Sequence, residues 1–310
     1  MFAKVSSSLS RAAFALLLLP LAGCQQYDLL DPKGPIGVEE KGLILQSLGY
    51  MLLVVIPVIL LTLWFAWRYR ASNTNATYAP KWAHSTKIEA IVWIIPCIIV
   101  GILGVLIWRT SHTLDPYRPL DSQVKPVRVD VVSLNWKWLF IYPDYGVASV
   151  NQLAIPTGTP INFRLTSESI MNSFFIPRLG TQVYTMAGMQ TKLHLIADEP
   201  GTYRGMSASF SGPGFADMHF NTLAMDGQAF KQWIAKAHQS TVSLDPQTYA
   251  ALTKPSRKDP VTIYGNVTPH LFKNIVDTFM APMAPKKPST ALNHAEDTHV
   301  ASAQNVGDNR

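Results

Sequence analysis

Two runs without a charged residue, 42–67 and 90–108, limit what this chain can fold into. At about 1.5 Å of rise per residue, each can cross a hydrocarbon core of about 30 Å as a single helix. The expected spans are 42–67 and 88–109. Trp64, Trp67, Trp93 and Trp108 lie towards their ends, where amphipathic rings favour the membrane interface, Trp93 one turn inside. The intervening loop, 68–87, holds Arg68, Arg70, Lys81 and Lys87 and no acid, which assigns it to the cytoplasm. Both ends of the chain are then periplasmic. Pro57 and Pro96 fall inside the spans, where each removes a backbone hydrogen bond and calls for a neighbouring helix to cover the gap. Two helices interrupted in this way imply a larger membrane partner.

Upstream, Lys4 and Arg11 precede the apolar run Ala12 to Leu19 and then Leu21-Ala-Gly-Cys24. This is a secretory signal, too short to span. It resembles a bacterial lipoprotein signal over 1–23, implying cleavage before Cys24, acylation of that cysteine and a periplasmic segment 24–41. The plainer alternative is a signal anchor with an incidental cysteine. The other cysteine, Cys97, lies in the second apolar run, so no disulfide can form in the soluble half.

A polar, proline-bearing linker, 114–125, leads into a region of short alternating runs. Val127, Val129 and Val131 alternate, as do Ile161, Phe163 and Leu165, and Trp136, Trp138 and Phe140 within Leu134 to Tyr142. With Thr191 to Ala197, Gly201 to Ser207 and His219 to Met225, the spacing predicts an all-β sandwich or barrel over 125–225. The period-2 spacing of Trp136 and Trp138 predicts that both face one side of a sheet. Beyond Met225 the period becomes helical: Phe230, Trp233, Ile234 and Ala237 follow i, i+3, i+4, i+7 from a start near Asp226. Asp245-Pro246 and Thr268-Pro269 each read as an N-cap followed by proline at the first helical position. The second helix would carry Phe272, Ile275, Val276 and Phe279, giving a helical extension over 226–280. From 281 to 310 the composition is aperiodic and polar, which reads as a disordered tail.

The stretch Gly205-Met-Ser-Ala-Ser-Phe-Ser-Gly-Pro-Gly-Phe-Ala-Asp-Met218 lies between two expected strands. It resembles the dinuclear copper loop of subunit II of the haem-copper cytochrome c oxidases, Cys-Ser-Glu-x-Cys-Gly-x-x-His-x-x-Met. By that resemblance Ser207 and Ser211 stand at the cysteine positions, Ser209 at the glutamate, Phe215 at the histidine and Met218 at the methionine; Asn172 stands at an upstream histidine. Five of the six cannot ligate, because soft copper sites need thiolate and imidazole, which serine hydroxyls and a phenyl ring do not supply. The pattern is similar to subunit II of the cytochrome bo-type ubiquinol oxidases, the quinol oxidase branch in which the site is lost. The resemblance runs from Cys24 to about Met280 and is most specific over 187–197 and 211–214.

The resemblance implies a membrane-anchored α+β chain: a two-helix transmembrane hairpin, a cupredoxin-like Greek-key sandwich with the would-be metal loop between its last two strands and an Asn172 loop facing it, and an aromatic-rich helical extension. It implies a non-redox subunit of a proton-pumping ubiquinol oxidase in the bacterial inner membrane, an enzyme complex that oxidises quinol and reduces dioxygen to water. Haem and copper would belong to subunit I, with subunits III and IV and membrane lipid as further partners and no role for cytochrome c. A glutamate matching Glu89 lies at the mouth of a proton-uptake path in that family, which makes Glu89 the candidate proton-entry residue. Read by itself, Glu89 is a carboxylate in the first turn of a helix, favoured by the helix dipole. With no metal below, the aromatic pair in Asn135-Trp-Lys-Trp138 has no electron to carry and is expected to pack in the core or against subunit I.

Two rival readings stand beside this one. A membrane-tethered cupredoxin delivering copper would need clustered Met and His, which the sequence scatters; Met218 and His219 are adjacent and point to opposite faces of a strand. A purely structural assembly lipoprotein would leave Glu89 without a role. His294 and His299 lie in the tail, which offers a metal no fixed geometry. The net charge of +6 counts the signal and the basic loop and implies no nucleic-acid partner.

Overall fold

The computed structural model describes residues 27–77, 79 and 81–280. The signal segment, Cys24, His294, His299 and the tail 281–310 lie outside the described residues.

Helix α1, Pro35–Arg68, has 34 residues and α2, Thr86–Thr113, has 28. At about 1.5 Å per residue α1 is roughly 51 Å long, well over the thickness of a hydrocarbon core, so it continues past its apolar run. The surplus is its first turns, which dock on the soluble domain. Gly37 N–H donates to Leu179 O at 3.2 Å, and just before the helix Lys33 N–H donates to Arg178 O at 2.6 Å. The Arg178 guanidinium pairs with Asp28 at 2.9 Å and Lys33 with Glu199 at 2.9 Å. Below this, the aliphatic side chains of both helices are exposed almost throughout, as expected of surfaces meant for lipid or another chain. Cys97 is exposed on α2.

The soluble domain is a sandwich, as expected. Its strands are β1 Val127–Leu134, β2 Lys137–Tyr142, β3 Val147–Val150, β4 Gln152–Pro156, β5 Ile161–Ser167, β6 Asn172–Ile176, β7 Gly180–Thr185, β8 Thr191–Leu195, β9 Gly201–Ser207 and β10 His219–Met225. The extension adds α3 Gly227–His238, β11 Ser243–Leu244, α4 Pro246–Leu252, β12 Thr262–Tyr264, β13 Asn266–Val267 and α5 Leu271–Met280. One sheet runs β12-β3-β2-β1-β5-β8, the other β4-β10-β9-β6-β7. Between them lies an aromatic centre: Phe174 stacks on Phe220 with centroids 5.2 Å apart, and Trp138 meets Phe174 edge-on at 5.3 Å.

The six-stranded sheet is buried on both faces at β1, β2 and β3, whose residues are nearly all buried. Val127, Val129, Val131, Trp138 and Phe140 face the partner sheet. Val132, Leu134, Leu139 and Ile141 face outward, where Leu244, Leu271, Phe272 and Ile275 of the extension cover them. The extension is therefore a second layer of core.

Three sequence expectations are corrected here. Trp136 is not a strand residue and does not share a face with Trp138. It sits in the turn between β1 and β2 with φ +66°, a left-handed conformation that breaks the period-2 pattern, while Trp138 is fully buried in the core. Asn172 does not lie in a loop; it is the first residue of β6. The last helix starts at Leu271 rather than Pro269, because His270 adopts φ +60° and the Thr268 hydroxyl donates to Leu244 O at 3.3 Å instead of capping.

Candidate functional site

Strands β6 and β9 pair antiparallel, with Phe174 opposite Ser207. That pairing brings Asn172 to the start of the loop 208–218, which joins β9 to β10. The loop is closed by Ser207 N–H to Met218 O at 3.2 Å and tied to β6 by Ala208 N–H to Ser173 O at 2.9 Å. Four of the six positions singled out in the sequence converge and are buried: Asn172, Ser207, Ser211 and Met218 are 1%, 4%, 3% and 2% exposed. The other two lie at the rim. Ser209 presents its carbonyl inward, and the Phe215 ring, in a 3-10 turn Phe215–Asp217, packs edge-on against exposed Phe210 at 5.6 Å.

The buried polar groups satisfy one another. The Ser207 hydroxyl lies 3.1 Å from Asn172 Oδ1 and 3.1 Å from Ser209 O, and the Asn172 amide donates to Ile170 O at 3.1 Å. Behind them, Ser133 and Thr185 share a hydroxyl pair at 2.8 Å, and Thr185 reaches Asn172 O at 3.4 Å. Ser211 Oγ is 3.9 Å from Met218 Sδ. Where a metal loop would converge two thiolates and two imidazoles, this loop converges two hydroxyls, an amide and a thioether already joined by hydrogen bonds. The donor set does not fit a dinuclear copper site. Among the described residues no group of three or more His, Cys, Asp or Glu is placed to hold a metal ion. Met218 is buried and the adjacent His219 is exposed, so the two do not form a common site.

The loop is held from its other side by Trp136. The indole Nε1–H donates to Ser211 O at 2.9 Å, and the ring lies so close to Gly214 that a Cβ there would stand 2.2 Å from it. Gly214 is thus required by the tryptophan, and Gly212 by its left-handed φ of +104°. Over both passes a strap of the extension, 253–260. Asn135 donates to Thr253 O at 2.8 Å; the Lys137 ammonium, 3% exposed, reaches Lys254 O at 3.2 Å and Asp259 at 2.9 Å. Arg257 donates to Pro213 O and lies 6.0 Å from the Trp136 ring centroid. Sequence reasoning missed Lys137, Arg257 and Asp259. The available signal was Lys137 itself, a cation set between two tryptophans in an otherwise apolar strand. A further tie is the Tyr249 hydroxyl of α4, which donates to the Glu168 carboxylate in the β5–β6 loop; burial pushes that carboxyl up from its ordinary value.

Glu89 lies far from this loop in sequence, in the first turn of α2. It is 51% exposed and lies 2.5 Å from His84 Nδ1, whose Nε2 lies 3.3 Å from the Thr86 hydroxyl.

With this geometry in view, residues 146–222 match the family model for the cytochrome c oxidase subunit II periplasmic domain, and residues 238–283 match that for the cytochrome oxidase aromatic-rich motif. The chain is 56% identical to a cytochrome bo(3) ubiquinol oxidase subunit 2 of Pseudomonas putida, over 84% of this chain and 83% of that one. It is 54% identical to the same subunit of Pseudomonas aeruginosa, over 84% and 78%, and 54% identical to a ubiquinol oxidase subunit 2 of Acetobacter aceti, over 88% and 89%. The sandwich, its aromatic-rich second layer and these identities over nearly the full described length assign the chain: it belongs to the ubiquinol oxidase subunit 2 family.

Proposed function

We propose that this chain serves as the non-redox subunit II of a proton-pumping ubiquinol oxidase in a bacterial inner membrane. The observation that carries the reading is the filled loop: in a chain of this family, the positions where copper ligands would stand are occupied by the Ser207–Asn172 hydrogen-bonded network. A quinol donor delivers electrons from within the membrane, so no electron has to pass through the periplasmic domain. Cytochrome c then has no docking role.

In this reading haem and copper reside in subunit I, which carries out the quinol and dioxygen chemistry. The present chain braces subunit I through the exposed faces of α1 and α2, caps it with the sandwich and adjoins subunits III and IV. The basic loop 68–87 is cytoplasmic, the sandwich periplasmic, and Cys24 carries a lipid. Glu89 collects protons at the cytoplasmic face of α2, a reading supported by its half-exposed position beside His84.

The test uses a tagged full-length chain purified from membranes with its partners. Ubiquinol-dependent oxygen uptake should accompany it, and Glu89→Ala should slow turnover and proton pumping several-fold in a complex of unchanged composition. Oxygen uptake that does not respond to ubiquinol contradicts the assignment. Unchanged turnover and pumping in the Glu89→Ala complex removes Glu89 from the proton path and favours a purely structural subunit.

A further inference from the structure

A cavity of about 290 Å³ lies where the outer ends of both helices meet the sandwich, walled by Pro35, Ile36 and Glu39 of α1, by Thr113 at the end of α2, by Asp115, Arg118 and Asp121 of the segment that follows, and by Thr181, Leu193 and His194. Its level relative to a bilayer follows from the helices. Glu39 precedes the charge-free run by three residues and Thr113 follows the other by five, about 5 and 8 Å at the rise of a helix. The headgroup layer occupies roughly the same 5–8 Å on each side of the hydrocarbon core. The cavity therefore opens among phospholipid headgroups.

Its walls carry an uneven set of polar groups. Glu39, Asp115 and Asp121 supply carboxylates and Arg118 one guanidinium, and among the described residues none of the four forms an ion pair. His194 is 8% exposed, and its Nδ1 lies 2.9 Å from Asn162 Oδ1, which can only accept. Nδ1 thus holds the ring proton and Nε2 is left as a lone pair, with no partner among the described residues. Burial, with Lys192 nearby, lowers the affinity of this imidazole for a second proton and keeps it an acceptor.

We propose that this cavity binds the headgroup of a phospholipid bearing a primary ammonium and a phosphate, of the phosphatidylethanolamine type. The ammonium, with three N–H groups, answers the carboxylates and His194 Nε2; the phosphate answers Arg118. A choline headgroup has no N–H to give Nε2, and a glycerol headgroup has no cation to set against three carboxylates. The proposal rests on α1 and α2 spanning a bilayer and not on the redox assignment.

The test takes the intact complex containing the full chain, strips it of lipid with detergent, and offers it equal amounts of phosphatidylethanolamine, phosphatidylcholine and phosphatidylglycerol with the same acyl chains. Native mass spectrometry counts what is retained. Expected is one phosphatidylethanolamine more per complex than in Glu39→Gln or Asp121→Asn, favoured about tenfold over the other lipids, the size of one charge-assisted hydrogen bond. Arg118→Gln should weaken retention of both phosphatidylethanolamine and phosphatidylcholine at this site. These three side chains are at the surface, so the variants keep the fold, and oxygen uptake with ubiquinol should stay at the wild-type rate. Equal retention of all three lipids by the wild type, or a preference unaltered in Glu39→Gln and Asp121→Asn, overturns the proposal while leaving the oxidase assignment standing.

Discussion

Glu168 shows how a single side chain in this protein ties layers together. Its carboxylate accepts from Tyr249 of the extension, and burial raises its folded pKa above the ordinary carboxylate range. A group raised on folding adds stability that is fully present below its unfolded pKa, about 4.3, and is lost as pH rises through the folded value. Melting curves of the full chain in detergent, from about pH 4 to pH 7, should therefore show Glu168→Gln gaining on the wild type as pH rises. A difference that is flat with pH would mean the carboxyl titrates alike in both states. At this scale the sequence was legible where the family resemblance supplied the positions: Asn172, Ser207, Ser211 and Met218 are distributed over 47 positions yet meet in one buried cluster. It was illegible where contact depended on the return of a distant segment. Nothing local to Lys137 says that Asp259 will neutralise it, or that Arg257 will cover Trp136.

Elements were read best where their ends carry their own chemistry. The Asp226 carboxylate accepts from Gln228 and Ala229 N–H at 2.9 and 2.8 Å at the start of α3, and Asp245 accepts from Thr248 N–H at 2.8 Å at the start of α4. Asp226→Ala should cost about 1 kcal/mol of stability, seen as a lower urea midpoint at unchanged slope. An unmoved midpoint would mean that packing of Phe230 and Ile234 alone fixes this helix. Misreadings fell where the backbone departs from the common regions. Left-handed Trp136 turned an apparent strand into a hairpin, and left-handed His270 delayed α5 by two residues. Strands β3, β4, β6 and β7 were missed because they are short, four to six residues, and follow one another with few intervening turn residues to punctuate them.

At the scale of the whole molecule, a sheet buried on both faces at its centre joins a membrane hairpin whose apolar surface is left exposed among the described residues. The first is complete by itself: the extension supplies Leu271, Phe272 and Ile275 to the outer face of the sheet. The second is not, and a chain built this way belongs in a larger membrane assembly. Central to the proposed function is that the sandwich keeps the frame of a copper loop with hydrogen-bonded Ser207 and Asn172 at ligand positions. The frame can be tested by reversal: Asn172→His, Ser207→Cys, Ser209→Glu, Ser211→Cys and Phe215→His together should restore a purple dinuclear copper site, and a folded variant that stays colourless would mean that the loop positions are misaligned. The most direct measurement is copper titration of the unaltered full-length chain in detergent, followed by visible absorption and metal analysis. The account predicts no stoichiometric copper and no absorption band; one tightly held copper per chain would contradict it and make Met218 and His219 the first residues to replace.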